Sequence, residues 1–371
     1  MALKDIIGQE KAINILLGTL SQDRIPSSYL FAGESGIGKK FTAVNFAKTL
    51  NCQQLTRKRG SAEARGSELP DFSASELANL RTSGLQADCC DECPSCKKID
   101  SQTHPDFMMV TPEKSEIRVE EVRAIEEALS FAPYEGKRKV VIVDEAEAMN
   151  ASAANAFLKT LEEPPPQSII ILIASSPDRL PETIRSRCSR VNFLPLSAAR
   201  CEEVIKNQVS VSSGDSPGRG VGDQGLEKNS QLSTISRLSM GRPGLAISND
   251  LIEERDWFIR LFRGMVHGEN KETWGDKEEI EKWFNYAITV LRDTAVFKIT
   301  GQENMLINID LKDSIAGMSK TIELKDIIES YIKLTFLKGY LRFNLNKSIT
   351  WNYTGFILRK FIGFVSPQAS R

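Results

Sequence analysis

Seven residues, Gly33-Glu34-Ser35-Gly36-Ile37-Gly38-Lys39, have the types and spacing of a phosphate-binding loop. Glycines at Gly33, Gly36 and Gly38 let backbone N–H groups converge on phosphate oxygens, and Lys39 adds a point charge near the terminal phosphates. The next position normally offers a hydroxyl to Mg²⁺. Here it is Lys40, whose ammonium cannot ligate a cation and repels one. A companion acidic motif closes the run Val140-Val141-Ile142-Val143-Asp144-Glu145. A buried strand ending this way sets Asp144 near a metal and Glu145 near an attacking water. These residues are the candidate nucleotide site, and Lys40 argues against efficient hydrolysis there.

A second constellation is built on sulfur. Cys90-x2-Cys93-x2-Cys96 sets three thiols at the spacing of a tetrahedral metal site, which needs a fourth ligand. Cys89, Cys52 and His104 are the candidates, and Cys89 adjoins Cys90, a poor geometry for closing a tetrahedron. A site of this kind with no open position is structural, not catalytic. Seven cysteines is an odd number, and four of them crowd between Cys89 and Cys96. With no leader-like N-terminus, the expectation is a metal site in a reducing cytoplasm, not a disulfide framework. Ser186-Arg187-Cys188 offers an arginine that, taken alone, is a surface charge.

These residues need elements to hold them. Tyr29-Leu30-Phe31-Ala32 is a short apolar run ended by Gly33, and the helical pattern Phe41, Val44, Phe46, Ala47, Leu50 follows the loop. Strand, glycine loop and helix in that order is the context a phosphate loop requires. Further strand-length apolar runs lie at Phe107–Val110, Val140–Val143 and Ile169–Ala174, with a fifth expected at Val191–Leu196. Helical spacing at Lys4–Leu20, Glu120–Leu129 and Ala151–Leu161 alternates with them. Apolar strands alternating with helices predict an α/β domain, a mainly parallel sheet covered on both faces. Polar, glycine- and serine-rich stretches at 53–88 and 209–230 predict a flexible insertion and a loose loop. After about residue 250 the chain changes class. Ile280, Trp283, Phe284, Ala287, Ile288 and Leu291 share one helical face, and Leu324, Ile327, Ile328, Tyr331 and Ile332 share another. The C-terminal part therefore reads as a helical bundle.

Composition sets the outer limits. A chain of 371 residues suggests two or three domains. Hydrophobic residues at 41 % and charged residues at 26 % are those of a soluble globular protein, and no apolar run approaches membrane-spanning length. A formal net charge of −1 argues against a chain whose main task is to grip nucleic acid by itself.

Taken together, the motifs resemble the delta-prime family of bacterial DNA polymerase III clamp-loader subunits, within the AAA+ superfamily. The resemblance is carried by Ile7-Gly8-Gln9-Glu10, the phosphate loop, Cys90–Cys96 and Thr103-His104-Pro105-Asp106. It continues through Asn155-Ala156-Phe157-Leu158-Lys159-Thr160-Leu161-Glu162-Glu163-Pro164-Pro165 and Leu180–Cys188. Together these motifs span residues 1 to about 196, while the C-terminal half matches only in helical character and in Asn344-Leu345-Asn346.

The resemblance implies roles. Cys52 takes the place of the first ligand of a structural zinc, with Cys90, Cys93 and Cys96 as the others. Arg187 takes the place of an arginine finger that reaches into a neighbouring subunit's ATP site. Ser175 or Ser176 stands at a polar sensor position. Gly244 stands where hydrolysing relatives carry a second sensor arginine, with Arg242 offset. The implied architecture is a P-loop domain over 1–196, a small helical lid over 197–250 and a helical collar over 251–371. The implied partners are tau/gamma and delta subunits and, through the complex, the sliding clamp and primed DNA. Lys40 and Gly244 both weaken ATP with Mg²⁺ as a working cofactor. The competing readings are an active tau/gamma-like motor subunit and a zinc-stabilised adaptor outside replication.

Overall fold

The computed structural model describes residues 2–22, 24–54, 88–113, 116–212, 232–248, 250–267, 274–343 and 345–361. Most of the polar stretches at 53–88 and 209–230, and Asn344, lie outside the described residues. The chain divides into two compact units, one of residues 1–200 with 242–244 and one of 201–241 with 245–371.

In the first unit the strands are β1 (Ser28–Ala32), β2 (Phe107–Val110), β3 (Lys139–Val143), β4 (Ser168–Ala174) and β5 (Ser189–Asn192). They form one parallel sheet in the order β2-β3-β4-β1-β5. All seven residues of β4 are buried, as a strand covered on both faces demands. Its alternate residues feed two cores. Ile169, Ile171 and Ile173 pack with Leu16 of α1 (Glu10–Ser21) and Phe46 of α2 (Lys39–Asn51), near Ile99 of α3 (Pro94–Asp100). On the opposite face Ile170, Leu172 and Ala174 pack with Ile125 of α4 (Val119–Ser130) and Phe157 of α5 (Ala151–Glu162). The α6 turn (Glu182–Arg185) adds Ile184 to this second core.

Because β4 is inserted between β1 and β3, the carboxyl ends of those three strands lie side by side. They deliver Gly33, Ser175 and Asp144 to one edge of the sheet. That edge is where open α/β sheets bind ligands.

Two expectations shift. The segment from Lys4 to Leu20 is not one helix, because a short turn at Leu3–Asp5 is separated from α1 by Gly8. Gly8 has φ +80°, and a Cβ there would lie 2.6 Å from Leu196 Cγ, so neither helix nor side chain fits. The fifth strand spans Ser189–Asn192 rather than Val191–Leu196. As an edge strand it buries only Val191, so its start carries no apolar signal. Its end is set by Leu194, whose N–H and carbonyl turn to the Gln9 side chain, and Pro195 has no N–H to extend the ladder.

The second unit is helical. Helices α7 (Ala198–Ser212) and α8 (Pro243–Ser248) start in residues of the first unit and run on into the second, and then come α9 (Leu251–His267), α10 (Lys277–Thr300), α11 (Lys312–Thr321), α12 (Leu324–Tyr340) and α13 (Lys347–Leu358). The longest, α10, begins with Asp276 accepting a hydrogen bond from the Glu279 N–H at 2.9 Å and ends at Gly301 with φ +65°. Ile280, Trp283, Phe284, Ala287 and Leu291 face the core as their spacing predicts, against Phe258 and Phe262 of α9. On α12 the outcome differs. Ile327 is buried, but Ile328, Tyr331 and Ile332 of the same apolar set are exposed, as is Phe336 at 64 %. Among the described residues no helix is long and apolar enough to cross a membrane.

Candidate functional site

The phosphate loop is held from below by its flanking elements. Gln9 donates to the Ile37 carbonyl at 3.2 Å and to the Leu194 carbonyl at 2.8 Å, pinning the loop to the chain after β5. Lys39 is buried, and its ammonium donates to the carbonyls of Gly33 (2.5 Å) and Glu34 (2.6 Å) and to Ser175 Oγ (3.3 Å). Burial pushes the Lys39 ammonium below its ordinary value, with Glu147, Asp144, Glu34 and Glu145 opposing that shift. Of the two serines after β4, Ser175 is the one whose hydroxyl meets Lys39. The backbone N–H groups of Ser175 and Ser176 both donate to Glu147 Oε1, at 2.7 and 2.9 Å.

Lys40 does not simply point to solvent. Its Nζ lies 3.2 Å from Asp144 Oδ2, and Asp144 Oδ1 accepts the N–H of Glu145 at 3.1 Å. Each oxygen of Asp144, the residue expected near a metal, thus has a partner within the chain. Glu145 is exposed and holds a left-handed backbone (φ +48°), an unusual conformation for a residue with a side chain. Above the loop, the Gly244 N–H donates to the Gly36 carbonyl at 2.8 Å. A Cβ on Gly244 would lie 2.9 Å from that oxygen, so the close approach requires glycine. Arg242 Nε is 3.6 Å from Glu34 Oε2, which turns this arginine toward a loop carboxylate. A donor set with an ammonium in place of the hydroxyl, and with its carboxylate already paired, does not suit a divalent cation.

The opposite end of α2 reaches the cysteines. Cys52 caps α2, and its Sγ gathers with those of Cys90, Cys93 and Cys96, all within 4.8 Å of one another. Four sulfurs about 2.3 Å from a common centre stand roughly 3.8 Å apart, so the cluster has the size of a tetrahedral thiolate site. The Cys93 N–H points at Cys90 Sγ (3.4 Å). Burial raises the Cys93 thiol, but the backbone of Cys96 and Gln53 and the thiols of Cys96 and Cys90 outweigh it and bring it to about 7. The Cys96 thiol is pushed up, first by its hydrogen bond with Cys89 and then by burial.

His104 has other work. Its Nδ1 accepts the Asp106 N–H at 3.0 Å, so Nε2 carries the proton and faces Ser95 Oγ at 3.0 Å. The Ser95 hydroxyl in turn donates to the Asn51 carbonyl at 2.9 Å. Around the cluster, buried Lys48 of α2 is paired with both Asp91 and Asp100. Asp88 accepts the N–H groups of Leu3 (2.9 Å) and Lys4 (3.0 Å) and tethers the N-terminal segment.

Arg187 sits between α6 and β5, far from being extended. Its guanidinium donates to Glu162 Oε1 at 2.6 Å and to the Thr183 carbonyl at 2.8 Å. The structure therefore brings together Lys39, Lys40, Asp144 and Ser175 at one place, the four cysteines at a second, and Arg187 with Glu162 at a third.

With these three places described, relatives decide the family. The profile of a family described as "DNA polymerase III, delta subunit" matches residues 8–71 and 68–197, more than half of the chain. The chain belongs to this family. A Bacillus subtilis (strain 168) relative named "DNA polymerase III subunit delta'" is 26 % identical over 348 residues, covering 91 % of this chain and 92 % of that protein. A Pseudomonas aeruginosa relative of the same name is 34 % identical over 203 residues, 54 % of this chain and 52 % of that protein. "DNA polymerase III subunit tau" of Bacillus subtilis is 33 % identical, over 51 % of this chain and only 28 % of its own length. The chain thus spans about half of one of these relatives and less of another. Among solved structures, a Thermotoga maritima "dna polymerase iii, gamma subunit-related protein" aligns over 94 % of this chain and 99 % of its own, with 16 % identity and a TM-score of 0.39. A likeness at that level adds nothing to the family assignment.

Family membership leaves several contacts that the sequence reading missed. Gln9, Glu147, Asp106 and Glu162 each act across a long stretch of chain, and none follows from local spacing. Gln9, Asp106 and Glu162 lie inside recognisable motifs, which is the one signal that singles them out; Glu147 has none.

Proposed function

We propose that this chain is a clamp-loader subunit of the DNA polymerase III holoenzyme, of the delta-prime type. In this reading it works in the cytoplasm within a hetero-oligomer of tau/gamma and delta types that places the sliding clamp on primed DNA. The observation that carries it is the extent of the match. A delta-prime relative aligns along 91 % of the chain and a tau relative along 51 %. The pairing of Lys40 with Asp144 supports a poor or inactive ATPase. Residues 197–250 serve as the lid and 251–371 as the collar. Exposed Ile328, Ile332 and Phe336 of α12 and Ile349 and Phe356 of α13 supply apolar surface for neighbouring collars. The residues around the cysteine cluster fit a structural zinc held by Cys52, Cys90, Cys93 and Cys96.

Arg187 acts in trans. A planar guanidinium with five donors suits the oxygens of a transferring phosphoryl group on the neighbour. To reach it, Arg187 gives up Glu162. That exchange is easy because an exposed ion pair is worth only about 0.2–1 kcal/mol. The test is the DNA-stimulated ATPase of the reconstituted complex carrying Arg187→Ala. Loss of an arginine finger lowers turnover by about 10³-fold or more at the site it serves. Unchanged stimulation sinks the assignment.

The second reading, an active motor, is favoured by Lys39, Asp144 and Ser175 standing at one edge of the sheet. Mg²⁺-dependent turnover by the isolated chain, abolished by Lys39→Ala, would establish it.

A further inference from the structure

We propose that Lys40 is a tethered replacement for the divalent cation of an ordinary phosphate loop, joining α2 to β3 without metal or nucleotide. The proposal rests on the weak-ATPase part of the reading above and goes further, since it gives the altered residue a structural task. It starts from charge. The first turn of α2 carries Lys39 and Lys40 and no acidic residue, although the amino end of a helix is itself positive. In an ordinary loop a bound phosphate balances that end. Here carboxylates do so: Asp144 faces Lys40, and Glu147, Asp144, Glu34 and Glu145 all act on Lys39.

Geometry adds the second reason. β4 separates β1 from β3, so the loop strand and the acidic strand are about 10 Å apart. A hydroxyl on α2 leaves a gap to Asp144 that a cation with oxygens at about 2.1 Å on either side can bridge. The four-carbon stem of Lys40 crosses the same gap and delivers a charge 3.2 Å from Asp144 Oδ2. Other polar groups beside the loop also have partners within the chain. Lys39 is held by Gly33, Glu34 and Ser175, Asp144 Oδ1 by Glu145, and the Gly36 carbonyl by Gly244. An ammonium half exposed to water can instead be an ordinary surface pair. What separates the two is whether a metal takes over when the ammonium is removed.

The experiment compares the full-length protein with Lys40→Thr and Lys40→Met, zinc in place, in magnesium-free buffer and with Mg²⁺ and ADP. Without magnesium both variants should melt about 1–3 °C below the parent. Mg²⁺ with ADP should restore Lys40→Thr, which regains the hydroxyl, and leave Lys40→Met where it was. Lys40→Thr should also bind ADP at least tenfold more tightly with Mg²⁺ than without it, while the parent shows no such dependence. The proposal is overturned if Mg²⁺ and ADP raise the parent as much as Lys40→Thr, or if Lys40→Thr ignores magnesium. All of this is read on the isolated chain. A failure of clamp loading in the reconstituted complex would therefore count against the proposed function and leave this result standing.

Discussion

The two ends of α2 make opposite use of ligand-binding residues. At the amino end, the charged groups of the phosphate loop have partners within the chain: Lys39 its own loop carbonyls, Lys40 the carboxylate of Asp144, and Glu34 the guanidinium of Arg242. At the carboxyl end, Cys52 joins three other thiols in a cluster, buried except at half-buried Cys90, that has the size of a tetrahedral metal site. The lysines of the amino end are paired within the chain, whereas the carboxyl end has the composition of a site that binds a metal. On the proposal above, a ligand motif persists as scaffold once its ligand is replaced by a side chain. Sulfur clusters have no such substitute, because no side chain offers a tetrahedral cation.

The largest effect that would break this contrast lies at the cysteines. Cys96→Ser should remove about one zinc per chain and cost about 4 kcal/mol or more, in the range expected when a structural metal is lost. Hydrogen exchange should rise through α3 and at Asp88, with the N-terminal segment that Asp88 tethers, while β1, β3 and β4 stay protected. A variant as stable as the parent, or a parent that contains no zinc, makes the two ends alike.

Next in size is a comparison of two lysines on the one helix. Lys48 is 3 % exposed and holds Asp91 and Asp100, whereas Lys40 is 49 % exposed and holds Asp144. Burial works against the Lys48 charge, but hydrogen bonds and attraction from Asp91 and Asp100 outweigh it and raise its pKa. Lys48→Met leaves two partly exposed carboxylates that water can reach, so the cost is about 1–3 kcal/mol rather than that of a fully buried orphan charge. It should also loosen metal retention during chelator challenge, since Asp91 lies between two of the sulfur-bearing residues. Equal urea midpoints for Lys48→Met and the parent would mean that the thiol end is held by sulfur alone.

How much of this could be read beforehand follows from the reach of each interaction. The central strands were legible because β3 and β4 are apolar on both faces, and the phosphate loop because strand, glycines and helix are contiguous. The edge strand β5 was placed two residues late because only Val191 of its four residues is buried. Gly8 reads as helix-compatible in a periodic pattern, and only its packing beneath Leu196 forces the break. Three cysteines announce themselves by spacing. Cys52 is 38 residues from Cys90, and only the family resemblance singled it out before the fold brought them to 3.6 Å. The partner of Lys40 was invisible for the same reason. Asp144 was named as a metal-facing acid, and an ion pair across β4 is a property of strand order, which local sequence does not encode.

The smallest effect tests whether the thiol end also contains a group that is complete by itself. Asp106 is buried beside His104 and accepts the N–H groups of Tyr134, Glu135 and Gly136, each at 2.7 Å. Burial pushes its carboxyl up, but those backbone donors outweigh it and hold the pKa below the ordinary value. A carboxylate depressed in the folded state contributes stability that is fully present above its unfolded value of about 3.9 and is lost as pH falls through the folded value. The gap between the parent and Asp106→Asn should therefore be constant from neutral pH down to about 5 and close below about 4. Urea midpoints at a series of pH values, taken on both proteins in the same metal state, measure it. A gap that does not change with acid would mean that the shape of Asp106, not its charge, holds the 134–136 loop. The self-sufficient carboxylate would then belong to the amino end alone, at Asp144.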